Sequence, residues 1–155
     1  MAVVGPGEGA AAPDQLEAAE EVGRLLAAAG AVVVCGGLGG AMEAACRGAK
    51  SAGGTTLGIL PGRDRAGANR FVDLAVATGL GEARNALVVR AADALVAVGG
   101  GYGTLSEIAL ALKAGTPVVG LGTWELARAG EADAGIVRAA DPRSAAETAL
   151  EFARK

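Results

Sequence analysis

The residues of this chain best suited to chemistry are a glycine-rich run backed by a carboxylate, GGGYGTLSE from Gly99 to Glu107, and an arginine upstream of it, Arg84. Consecutive glycines at 99, 100 and 101 let a backbone take positive φ and approach a ligand closely. A helix opened by Thr104 would then offer unpaired N–H groups and the positive end of its dipole, which favours a phosphate or another anion. Glu107 could serve such a site. Thr104-Leu105-Ser106-Glu107 also has the T-x-x-E spacing of a capping box, in which the glutamate only ties back its own helix start, and the spacing does not separate the two readings. Arg84 falls in the first turn of an expected helix, where the dipole disfavours positive charge. Its place there points to a bound anion or a carboxylate partner.

These residues need a frame, and the hydrophobic pattern supplies one. The run AADALVAV before the glycines reads as a buried strand, and EIALALKAG after them as a helix with Ile108, Leu110, Ala111 and Leu112 on one side. Further apolar strands are expected at 1–4, 31–35, 55–60, 74–78 and 117–121, with a short edge strand at 134–137. Helices are expected from Pro13 to Ala29, from Ala41 to Gly53, from about Glu82 to Ala92, up to Ala114, and from Pro142 to the C-terminus. Strands alternating with helices, and apolar on both faces, predict an α/β fold: one Rossmann-like, doubly wound parallel sheet with helices on both faces, spanning 1–155 as a single domain. Ligands of such sheets gather at the carboxyl ends of strands near the switch in strand order. The turns at Gly5-Pro6-Gly7, Gly36 to Gly40 and Gly99 to Gly103 all belong to that edge, which predicts a nucleotide or another phosphorylated ligand. RDRAGANR, 63–70, reads as a surface loop whose arginines are either solvated or in contact with an anion.

Composition narrows the function classes. The chain is 52% hydrophobic but 3% aromatic, with 26 glycines, a composition of closely packed α/β elements. A net charge of -3 gives no drive towards nucleic acid or an anionic membrane, and neither partner is expected. No apolar run approaches the roughly 18 residues of a membrane span. Histidine is absent, which leaves acid–base work to Asp, Glu, Arg or Tyr. Cys35 and Cys46 form no C-x-x-C pair and read as buried small hydrophobes, which with no signal sequence predicts a reducing, cytoplasmic setting. Trp124 could stack on a base or pack against a neighbouring element.

Two familiar nucleotide motifs do not fit. GPGEGA after the first strand lacks the third glycine of G-x-G-x-x-G, no acidic residue closes the second strand, and the P-loop pattern is missing. The segments GGLGGAMEAACRGAK, GLGEARNALVV and GGGYGTLSEIALALKAGTPVV, in that order, resemble the LOG family. These are Rossmann-like proteins once labelled lysine decarboxylases, and they lie within a wider superfamily that includes the molybdenum cofactor carrier protein. The resemblance covers nearly the whole chain and is strongest to a short branch of that superfamily. Studied members are phosphoribohydrolases that split cytokinin riboside 5'-monophosphates into base and ribose 5-phosphate.

What the resemblance implies is specific. The P-G-G-x-G-T-x-x-E signature falls on Gly99 to Glu107, and the arginine of the family's R-K pair falls on Arg84. Arg84 and Glu107 become the candidate catalytic pair, and Gly100, Gly101, Gly103 and Thr104 the candidate phosphate cradle. Gly37, Gly39 and Met42 match a segment lining the family's cleft, and Gly5, Pro61 and Asn85 complete the candidate binding set. The chain departs from the pattern at Gly99, where the family has proline, and at Asn85, where it has lysine. A carboxylate at Glu107 would stabilise the positive charge that builds on a sugar as its base leaves, or orient the attacking water. No metal or redox cofactor is called for, and the ligand expected is a nucleoside monophosphate-like phosphorylated small molecule. The alternative expectation is a non-catalytic carrier or sensor of a phosphorylated ligand such as molybdenum cofactor or a nucleotide. The resemblance also implies a homodimer or higher homo-oligomer. Lysine decarboxylation lacks support, since Lys50, Lys113 and Lys155 lie at helix ends or at the end of the sequence.

Overall fold

The chain begins in the middle of its sheet and builds outward in both directions. The computed structural model describes residues 1–154. Its strands are β1 (Ala2–Val4), β2 (Val33–Cys35), β3 (Thr56–Leu60), β4 (Leu74–Ala77), β5 (Leu95–Val98), β6 (Val118–Leu121), β7 (Leu126–Arg128), β8 (Glu131–Asp133) and β9 (Ile136–Arg138). The helices are α1 (Pro13–Ala28), α2 (Ala41–Ser51), α3 (Asn85–Arg90), α4 (Tyr102–Ala114) and α5 (Pro142–Ala153). Seven strands form one sheet in the order β4-β3-β2-β1-β5-β6-β9, every neighbouring pair parallel. The first half of the chain winds towards β4, then crosses back to lay β5 beside β1. The switch in strand order therefore lies between β1 and β5, the position where such sheets open a crevice.

Each face of the sheet has its own apolar layer. Val3, Val33, Val96, Val98 and Val119 pack against Val22 and Leu26 of α1, the alanines of α2, and Ala145, Ala146 and Ala149 of α5. On the other face Val4, Val34, Leu95, Ala97 and Val118 meet Val88 and Val89 of α3 and Ile108 and Ala111 of α4. α1 and α2 approach at glycines: a Cβ on Gly48 would lie 1.8 Å from the Glu20 carbonyl oxygen, and one on Gly23 would lie 2.1 Å from that of Ala45. The alanine-rich side of α2, open in the sequence to either a symmetry mate or the core, is core. Gly48→Ala is expected to cost about 1–3 kcal/mol by overpacking, read as a lower denaturation midpoint with an unchanged m-value.

Several boundaries differ from the expectation. The helix expected over Glu82 to Ala92 is a 3₁₀ turn, Gly81–Arg84, followed by the short α3. The expected edge strand at 134–137 lies later, at Ile136–Arg138, and the β7–β8 hairpin was not anticipated. α5 ends at Ala153 rather than at the C-terminus, and Lys155 lies outside the described residues. Cover is also thinner at one end of the sheet. Leu74 and Val76 of β4 pair with Leu57 and Ile59 on the α3 side, yet are 57% and 48% exposed, because α3 is only six residues long. No described helix is long and apolar enough to cross a membrane.

Candidate functional site

α4 starts two residues before Thr104, and that shift decides what Glu107 can do. Gly99 and Gly100 take φ of +56° and +117°, conformations that side chains disfavour, and Gly101 becomes the N-cap. Thr104 is then the third helical residue and Glu107 the sixth, too far along to reach back to the start. The capping box read from the spacing does not form. Distant residues fix the glycine run from its far side: Trp124 Nε1 donates to the Gly101 carbonyl at 3.1 Å, and the Thr123 hydroxyl donates to that of Gly99. The first amide bonded across this helix start is Leu105, to the Gly101 carbonyl at 3.0 Å. The N–H groups of Tyr102, Gly103 and Thr104 consequently have no backbone partner among the described residues, and all three residues line one cavity.

That cavity, about 430 Å³, opens at the β1/β5 switch. Gly5, Met42, Pro61, Arg84, Asn85, Gly103, Thr104 and Glu107 of the expected set line it. Gly37, Gly39, Gly100 and Gly101 are not among its lining residues, and each has a local reason. Gly37 donates to Cys35 Sγ and offers its carbonyl to Asn69, while Gly39 faces Glu8. The turn after β2 is further engaged by the Ala41 N–H, which donates to the Pro6 carbonyl at 3.0 Å. Asn69 thus takes up the carbonyls of Gly37 and Leu38, and it is Leu38 and Met42 of this segment that line the cavity. Gly100 packs under the Thr104 side chain, and Gly101 is spent on the cap. Gly7, Leu38, Glu82, Tyr102 and Ser106 line the cavity as well and were missed from sequence. Cys35 and Cys46 are both buried, as expected, with their sulfurs 3.4 Å apart.

Arg84 and Glu107 meet inside this cavity. Both are 7% exposed, and Arg84 Nη1 lies 3.7 Å from Glu107 Oε1. The guanidinium also donates to the Asn85 side chain and, at 3.5 Å, to the Gly36 carbonyl. A side chain at Gly36 would displace the guanidinium or the thioether, since a Cβ there would lie 2.5 Å from Arg84 Nη2 and 2.7 Å from Met42 Sδ. Arg84 Nε is buried without a hydrogen-bond partner among the described residues. A charged donor left unpaired at such depth costs free energy, and a bound acceptor relieves it. Burial pushes the Glu107 carboxyl up to about 7, the neighbouring Arg84 only partly offsetting the effect. The carboxylate partner anticipated for Arg84 is thus Glu107, and free amides, an arginine and a proton-exchanging carboxyl share one hollow. With Glu82 and Glu107 lining the cavity along with Arg84, the side chains alone do not make it positive; the amides at the α4 start supply the remaining attraction for an anion.

Comparison with known proteins agrees with this architecture. A family model described as the SLOG cluster4 family matches residues 1–146. A protein of Archaeoglobus fulgidus is 49% identical over 121 residues, 78% of each chain. The structure of the molybdenum cofactor binding protein of the phototrophic bacterium Rippkaea orientalis superposes with a TM-score of 0.87 at 38% identity, covering 97% of this chain and 94% of the other. The molybdenum cofactor carrier protein of Chlamydomonas reinhardtii gives 0.86 at 39% identity, covering 99% and 97%.

Proposed function

We propose, because this chain belongs to the SLOG cluster4 family, that it is a carrier which binds a phosphorylated small molecule of the molybdenum cofactor class in the cavity at the β1/β5 switch. The observation that carries the reading is the pairing of three unbonded amides, Tyr102, Gly103 and Thr104, with Arg84, whose buried Nε lacks a partner. The phosphate sits on the amides, and the guanidinium supplies a directional, charge-assisted contact. Leu38, Met42 and Pro61 give the remainder of the ligand an apolar lining. Near full-length likeness to two proteins named for binding or carrying that cofactor supports the choice of ligand class. The test is to purify the protein from a host that makes the cofactor and to oxidise the bound fraction, reading pterin fluorescence and molybdenum per chain. A stoichiometric phosphorylated pterin, lost on Arg84→Ala, is expected; a preparation free of pterin in such a host counts against the reading.

One observation favours a second reading. A buried carboxyl held near 7 beside an arginine is also what nucleoside 5'-monophosphate hydrolysis needs. On that reading Glu107 stabilises the sugar cation as the base departs or takes a proton from water, and Arg84 with the α4 amides holds the phosphate. Incubation with a panel of nucleoside monophosphates decides it. Release of free base and ribose 5-phosphate that Glu107→Gln abolishes makes the protein a hydrolase, and the absence of any release leaves the carrier.

Self-association belongs to the same proposal. Leu74, Val76, Leu80, Leu87 and Val32 are exposed apolar residues on the α3 side, an arrangement suited to a second copy. Light scattering is expected to give a dimer or a larger homo-oligomer for the wild type and a monomer for Val76→Glu. A wild-type monomer at micromolar concentration contradicts this part alone.

A further inference from the structure

Resting on the reading of the cavity as an anion site, we propose that Tyr102, braced by Trp124, is a ledge on which a planar heteroaromatic ring of the ligand stacks. Tyr102 is the first residue of α4 and lines the cavity, yet it is 82% exposed, more than any other exposed large hydrophobic residue described. A single exposed aromatic needs no explanation by itself. Here, however, its ring is supported: the Trp124 ring centroid lies 5.6 Å away with the planes tilted by 38°. Trp124 in turn is held by its bond to the Gly101 carbonyl and packs against the apolar layer under α4. The tyrosine therefore projects from a fixed base at the mouth of the cavity.

The chemistry follows from what the same residue offers twice. The Tyr102 N–H belongs to the anion-binding helix start, while its side chain presents a π surface at the cavity rim. A phosphate on the amides and a flat ring on the phenol can thus belong to one ligand. The cavity is far larger than a phosphate requires, and its apolar lining, Leu38, Met42 and Pro61, suits a ring better than an extended polar chain. Aromatic stacking tolerates many ring systems, so the ledge selects for the presence of a flat ring and leaves finer choice to other contacts.

Trp124 is the only tryptophan of the chain, which makes its emission a reporter of events at the ledge. The probes are inorganic phosphate, ribose 5-phosphate and guanosine 5'-monophosphate, whose base shares the aminopyrimidinone edge of a pterin. The wild type is expected to bind the guanosine nucleotide about tenfold more tightly than ribose 5-phosphate and to lose Trp124 emission as it does so. Tyr102→Ala is expected to erase that advantage without changing the affinity for ribose 5-phosphate, and Tyr102→Phe to retain it. If Tyr102→Ala binds both organic probes as the wild type does, the ledge is wrong and the anion site stands. Equal loss of both probes also overturns the ledge, which requires a selective loss. A wild type that binds none of the three overturns the ledge together with the anion site.

Discussion

Arg84→Ala is expected to weaken binding of a phosphorylated ligand about 10- to 100-fold, the range set by losing one or two charge-assisted hydrogen bonds in a desolvated site. The guanidinium is almost wholly buried, its Nε has no acceptor among the described residues, and its two other nitrogens are already oriented by Asn85, Gly36 and Glu107. Ordering is therefore complete before a ligand arrives, and little affinity is lost to fixing the side chain. Arg84→Lys keeps the charge but not the planar fork, and is expected to recover only part of the loss. Calorimetric titration with ribose 5-phosphate measures all three proteins. Folding should survive the alanine variant, since Glu107, deprived of its counter-charge, can remain protonated in its buried position. An Arg84→Ala affinity equal to that of the wild type would remove the arginine from the site.

Glu107→Gln is the second large effect, and its direction depends on pH. Because burial raises the folded-state value from the ordinary 4.5 to about 7, the folded protein holds a proton between those values that the unfolded chain has lost. The sign is fixed by that difference: the contribution to stability is fully present below pH 4.5 and is lost as the pH rises through 7. The gap is worth about 3 kcal/mol at most. Glutamine cannot ionise, so Glu107→Gln is expected to flatten this part of the stability profile and to be the more stable protein at pH 8, less what Arg84 loses when its partner at 3.7 Å becomes neutral. Urea denaturation at pH 5, 6.5 and 8 reads it directly. Ligand binding follows the same logic. A carboxylate beside Arg84 opposes an incoming phosphate, so wild-type affinity should decline above pH 7 while the glutamine variant holds its affinity. Parallel pH profiles for the two proteins would show that Glu107 does not share the phosphate's environment.

The sheet, its helices and the edge that carries the site were readable in the sequence for a simple reason. Runs such as Ala94 to Val98 are apolar at every position, and only strands buried on both faces need that, while glycines punctuate their carboxyl ends. Arg84 was readable because it sits where a helix start disfavours it. Glu107 was placed beside it by the family resemblance, whereas its own spacing left cap and site open. Its spacing from Thr104 fits a capping box, and the register of α4 is set by Thr123 and Trp124, two residues from a later turn that no local pattern connects with Gly99 and Gly101. The β7–β8 hairpin escaped for a different reason: its turn places Ala129 at φ +52° before Gly130, a conformation that sequence rules reserve for glycine or asparagine. The glycines at 37 and 39 entered the candidate set because they match a cleft-lining segment of the LOG family, and they are not among the residues that line the cavity. Here the bonds of Asn69, Cys35 and Pro6 use that turn internally, and its larger neighbours Leu38 and Met42 reach the cavity. Tyr102 was overlooked as the variable position of a motif, although its exposure is what sets it apart.

The grip on the phosphate is tested most directly by amide resonances. In a ¹⁵N-labelled sample titrated with ribose 5-phosphate, the N–H signals of Tyr102, Gly103 and Thr104 and the Nε–H signal of Arg84 should shift together and saturate at one affinity, with Gly37 and Gly39 moving little. Saturable shifts confined to other parts of the chain, with these four signals unmoved, would place the ligand elsewhere and contradict the account.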